Sequence, residues 1–161
     1  MADIICNTSP LQYLHQIGWL DLLPRLVSRI VVPTAVAAEL AEGQRLGLDL
    51  PLPEALSWAD LRKPRSEEVL RLAADLGSGE TAVLALALES TDAVVILDDA
   101  LARRHAEVLG LRLTGTLGVL LDAKRAGLVP EVAPLLNDLQ ALGFRLSRKT
   151  RDAVVRLAGE T

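Results

Sequence analysis

Short runs of apolar residues alternate along this chain with longer segments in which apolar positions recur at helical spacing. "DIIC" ahead of Asn7, "RIVVP" at 29–33 and "AVVIL" at 93–97 are unbroken and rich in β-branched residues, as strands covered on both faces are. The segments between them read as helices. Asn7 or Thr8 caps the first, with Pro10 in its opening turn, and Gly18 stops it. "WLDLLPRLV" gives a short helical piece interrupted at Pro24. Pro33 opens a helix through "TAVAAELAE" that ends near Gly43. The Gly- and Pro-rich residues 43–56 form a loop, and "SWADLRKP" an edge strand. "SEEVLRLAADLG" has an acidic first turn and a Gly stop. "SGETAVLALALES" is apolar on nearly every side and is therefore a central helix. After "AVVIL" come the helix "ALARRHAEVLG", the short strand "LRLTG" and the helix "TLGVLLDAKRAG". Two C-terminal helices follow from about residue 131, "PEVAPLLNDLQALG" and "RKTRDAVVRLAG". Strands alternating with helices predict a single domain over residues 1–161, a three-layer α/β/α sandwich around a mostly parallel sheet.

Composition narrows the chemistry. Half of the 161 residues are apolar, yet Tyr13, Trp19, Trp58 and Phe144 are the only aromatic ones, so Leu, Ala and Val build the core. One cysteine, Cys6, excludes an internal disulfide and a cysteine-rich zinc site, and two histidines make a His-based site improbable. Any metal is then a hard cation on carboxylates. The N-terminus lacks a basic segment followed by a long apolar one, and "VLALALES" is too short to cross a membrane; a cytoplasmic protein with no membrane association is expected.

The net charge of −4 argues against bulk electrostatic attraction of nucleic acid, but it is unevenly spread. Residues 1–95 carry 7 basic and 13 acidic side chains, and residues 96–161 carry 10 and 8. Arg103, Arg104 and Lys124 belong to that second part and are candidates for phosphate contacts, against the alternative of ordinary solvated helix faces.

In open parallel sheets, ligands bind at the carboxyl ends of strands. Three such ends are polar here: Asn7-Thr8-Ser9, Asp98-Asp99 and Thr114-Gly115-Thr116. Glu80, opening the apolar central helix, and Glu39, interrupting another apolar helix, can join them. Clustered carboxylates repel one another, and Mg²⁺ or Mn²⁺ relieves that repulsion while activating water against a phosphodiester. Other chemistries fit less well. "GSGET" lacks the Lys of a phosphate loop, and no nucleophile elbow surrounds Ser9.

The ordered blocks "NTSPLQYLHQIGWLDLL", "VVPTAVAAEL", "GSGETAVLALALE", "VILDDALARRHAEVLGL", "LTGTLGVLLDAKRAGL" and "GFRLS" resemble a PIN domain. The resemblance is to the branch related to VapC-type toxin ribonucleases with an NTSPL-type opening, and it spans about residues 3–150. It implies metal-dependent cleavage of single-stranded RNA, leaving a 5′-phosphate and a 3′-hydroxyl. It also implies a small antitoxin partner and a homodimer. The family's acidic positions fall on Asn7, Glu39, Glu80 and Asp99, with Asp98 as an alternative ligand. Asn7, Glu80, Asp98 and Asp99 are then the metal ligands, and Ser9 and Thr116 supporting hydroxyls. Asn7 keeps a carbonyl oxygen for a hard cation but brings no charge. The competing expectation is a catalytically weak PIN-like module that binds RNA or protein.

Overall fold

The computed structural model describes residues 2–68 and 75–160. Within them, β1 (Asp3–Cys6), β2 (Ile30–Pro33), β3 (Ala59–Arg62), β4 (Ala93–Ile96) and β5 (Arg112–Thr114) form one sheet in the order β3-β2-β1-β4-β5. Every pairing is parallel, with Ile5 of β1 beside Val31 of β2 and Val95 of β4. The sheet is thus wholly parallel. Such sheets need cover on both faces, which is why their strands are apolar throughout.

The cover comes from α1 (Thr8–Gln16), α2 (Leu22–Leu26), α3 (Thr34–Arg45), α4 (Ser78–Glu89), α5 (Ala100–Val108), α6 (Thr116–Arg125), α7 (Ala133–Ala141) and α8 (Arg148–Leu157). α4 lies on β1, β2 and β4, and every residue from Thr81 to Ala87 is buried. Its lack of charged side chains over that stretch matches its central position. α6 packs against α1, α2 and α8. Leu135, Leu136, Leu139 and Val154 of the last two helices join the same apolar core as the strands. Tyr13 meets Phe144 edge-on at 5.0 Å, which ties α1 to the segment between α7 and α8.

Two local expectations change, and a third lies outside the described residues. α3 does not stop at Gly43 but runs to Arg45 and ends where Gly47 takes φ +93°. There Leu48 N–H bonds the Gly43 carbonyl and Gly47 N–H that of Gln44, the paired bonds of a Schellman closure. Gly43 is small for another reason: a Cβ there would strike the Leu50 side chain, which folds back into the core. Pro24 does not break α2, because it is the helix's third residue, where no intrahelical N–H bond is needed. The helix expected at "SEEVLRLAADLG" falls largely on residues 69–74, outside the described residues.

Candidate functional site

The strand order reverses at β1 and β4, and their carboxyl ends lie side by side. Asn7 N–H donates to the Ile96 carbonyl at 3.1 Å, and Leu97 N–H to the Thr114 carbonyl at 2.9 Å. The polar ends of β1, β4 and β5 therefore share one edge, as the strand pattern predicts.

Asn7 is the N-cap residue of α1, yet its side chain caps nothing. It is 4% exposed, and its Oδ1 is the buried side-chain oxygen left without a hydrogen-bond partner among the described residues. Leaving a buried acceptor unpaired costs about 1–3 kcal/mol, so such an atom points to a missing donor or cation.

Glu39 reaches over the same place from α3. Thr8 Oγ1 donates to its Oε2 at 3.1 Å, and Ser78 Oγ to its Oε1 at 3.4 Å. Gly79 makes this approach possible. A Cβ at that position would collide with Glu39 Oε1 and stand 3.2 Å from Asn7 Oδ1. A glycine thus lets the start of α4 close on both oxygens.

Glu80 follows, half-buried in the first turn of α4. Burial pushes its carboxyl above the ordinary range, and the negative charges of Glu39 and Asp99 push it further; the N–H groups of Glu80 itself and Gly77 oppose the shift. The bond back to Gly77, the N-cap residue, is one half of a capping box. Asp99 is exposed and caps α5, its Oδ2 accepting from Ala102 N–H at 2.9 Å. Asn7, Glu39, Glu80 and Asp99 are therefore a group of oxygen donors drawn from four elements, in which Glu80 feels the negative charges of both Glu39 and Asp99.

Asp98, adjacent in sequence, is placed differently. Its Oδ1 accepts from Thr116 N–H at 2.8 Å and its Oδ2 from Thr116 Oγ1 at 2.6 Å. Burial raises its carboxyl, while these two bonds and the Arg103 guanidinium pull it down. Thr116, fully buried, is thus the partner that anchors α6 to β4. Gly115 leaves room for the junction, since a Cβ there would come within 2.8 Å of Asp98 Oδ1 and 2.9 Å of Arg103 Nη1. Cys6 packs beneath; burial and then the Asp98 charge raise its thiol, which is inert packing.

The expected basic residues separate. Arg103 donates to the Leu97 carbonyl at 2.7 Å and braces the Asp98 junction. Arg104 is exposed on α5. Lys124 lies eight residues beyond Thr116, about 12 Å along α6, and is held by the Pro130 carbonyl at 2.9 Å and Glu160 at 3.1 Å. It stands away from the cleft. Ser9 is half-buried in the first turn of α1. Sequence reasoning missed Thr8 and Ser78 as partners of Glu39. The available signal was their position, each a hydroxyl beside a candidate oxygen donor.

Among the described residues, no three Asp, Glu, His or Cys side chains form a ready-made metal site. The donor set nevertheless fits a hard divalent cation: all its atoms are oxygens, one is an unpartnered buried amide oxygen, and the Glu80 carboxyl is raised by the charges of Glu39 and Asp99.

In a wholly parallel α/β/α protein the crevice at the switch point is where a ligand binds, and here that crevice is acidic. Residues 3–160 match the PIN domain, and the chain belongs to that family, whose members are typically nucleases using divalent metal ions. A comparison with curated proteins returns no match. No helix among the described residues is long and apolar enough to cross a membrane.

Proposed function

We propose that this chain is an Mg²⁺- or Mn²⁺-dependent endoribonuclease that hydrolyses single-stranded RNA, the toxin of a toxin–antitoxin pair. The carrying observation is the unpartnered buried Oδ1 of Asn7 at the switch point, facing Glu39 and the start of α4. Asn7, Glu39, Glu80 and Asp99 are the residues that hold the cation. When bound, it neutralises charge on the phosphodiester and acidifies water. Thr8 and Ser78 fix the Glu39 carboxylate, so its approach needs little reordering. The Gly77 N–H holds Glu80 toward the cleft. Arg104, exposed five residues beyond Asp99 and without an ion pair among the described residues, can meet a phosphate. Asp98 acts one step away, fixing β4 against α6 through Thr116.

A cytoplasmic homodimer, neutralised by a small antitoxin that lays a helix or tail over the acidic cleft, completes the reading. The test compares wild type, Asn7→Asp and Asp99→Ala on one labelled RNA with each metal. Cleavage is expected from wild type, and loss of about 100-fold or more from Asp99→Ala. An Asp99→Ala protein as active as wild type sinks the site assignment.

The neutral side chain at Asn7 favours a second reading, a catalytically weak module that binds RNA or protein. Calorimetric titration separates the two: the module reading expects no Asp99-dependent metal binding and no cleavage gain in Asn7→Asp.

A further inference from the structure

We infer that the cavity between α3, α4 and the segment after β3 is a nucleotide subsite, receiving the base and phosphate of the residue next to the scissile bond. This rests on the nuclease reading above and names where its single-stranded substrate is gripped. The cavity measures about 450 Å³, within the ~300–1,000 Å³ of ligand sites.

Ala35, Ala38 and Ala82 line one wall of it, and the small size of these side chains keeps the space open. Ala35 lies one turn before Glu39 and Ala82 nearly one turn after Gly79, about 6 and 4.5 Å along their helices. The cavity is therefore a close neighbour of the Glu39–Gly79 contact, at the scale of a single nucleotide.

Lys63 and Arg65 form one lip. Neighbouring Arg62 is tied to Asp60 at 2.8 Å and Asp3 at 3.3 Å, whereas the side chains of Lys63 and Arg65 have no ion pair among the described residues. The backbone beneath them is pinned, because both oxygens of Glu89 accept from Arg65 N–H, at 3.0 and 2.8 Å. Two cations with no ion pair among the described residues, on a fixed segment, suit a phosphate, and a wall of alanines suits the face of a base.

Glu68, exposed on the same segment, lines the cavity as well. Its carboxylate repels a bare anion or an acidic peptide, but accepts hydrogen bonds from ribose hydroxyls and exocyclic amino groups. Alanine wall, cationic side chains and acceptor together match a nucleotide better than free phosphate.

The test uses Glu80→Gln, to separate binding from cleavage, and a short fluorescein-labelled single-stranded RNA read by anisotropy. Lys63→Ala/Arg65→Ala in that background is expected to weaken binding about tenfold and to reduce the salt slope by about 1.4, two phosphate contacts at ~0.7 each. Ala38→Trp, a filling substitution at an exposed helix position, is expected to weaken binding about tenfold with the slope unchanged. Circular dichroism melting confirms that each variant folds. Affinity and slope within about twofold of the parent in both variants overturn the subsite, as does equal displacement of the RNA by an oligoglutamate peptide. Wild-type cleavage is scored separately. Lys63- and Arg65-dependent binding without cleavage overturns only the catalytic reading, and cleavage with unaltered binding in the variants overturns only the subsite.

Discussion

Asp98 and Asp99 are neighbours in the chain and opposites in the fold. Asp98 has both oxygens taken by Thr116, with Arg103 beside it. Asp99 has one oxygen on a helix N-terminus and shares its surroundings with Glu80, which its charge helps to push up. The same contrast holds at larger scale. Glu160 accepts from Val132 N–H at 2.6 Å, Ala133 N–H at 2.9 Å and Lys124 at 3.1 Å. The Asn7–Glu39–Glu80 group has hydroxyls, its own backbone and an orphaned amide oxygen, and no ion pair among the described residues. Carboxylates that hold the fold together are surrounded by donors. Those at the sheet edge have fewer donors and no ion pair among the described residues, and that difference sets the edge apart from the carboxylates that brace the fold.

The contrast can be broken most forcefully at Asp98. Asp98→Ala leaves the Thr116 N–H and hydroxyl buried without acceptors, and urea unfolding should show a loss of about 3 kcal/mol. A loss no larger than that of Asp99→Ala would erase the distinction between the two aspartates. Next comes Asn7→Asp, which buries a fourth negative charge beside Glu39. We expect the metal-free protein to lose about 2 kcal/mol, with millimolar Mg²⁺ or Mn²⁺ restoring the melting temperature. Destabilisation that no divalent ion reverses would argue against a cation there.

Glu160 sharpens the other side. Burial alone would raise its carboxyl, but the Val132 and Ala133 N–H groups and Lys124 outweigh that and lower it below the ordinary 4.5. Its stabilising contribution is therefore complete above pH 4.5 and is lost as pH falls through the lower folded value. Glu160→Gln should cost about 1–2 kcal/mol at neutral pH and flatten the acid limb of a stability–pH curve. An acid limb identical to wild type would remove Glu160 from the donor-rich class. The smallest effect belongs to Asp99→Ala, about 1 kcal/mol for a lost cap, partly offset by relief of repulsion at Glu80. That modest change should accompany near-complete loss of RNA cleavage.

Much of this was legible in the residues. The short β-branched run "AVVIL" reads as a strand covered twice, and the longer, charge-free and Leu/Ala-rich "TAVLALAL" as a buried helix, so the layered parallel fold followed from pattern. The acidic edge followed too, because polar residues that end buried strands must emerge at one side. Lys124 was not legible as a structural residue, since its partner Glu160 lies 36 positions away. The roles of Gly43 and Gly79 were hidden for the same reason. A glycine's stop signal is local, but the Leu50 side chain and the Glu39 carboxylate that these two admit arrive from elsewhere.

Periodicity and turn chemistry are local properties, so the chain's order of residues sufficed for its elements, their layering and the family to which it belongs. The division of labour among its carboxylates required the folded molecule. Whether an aspartate meets two donors from another helix or only the start of its own depends on which strand ends become neighbours, and nothing in "LDD" says that the first turns toward Thr116 while the second caps α5 within reach of the Glu80 charge.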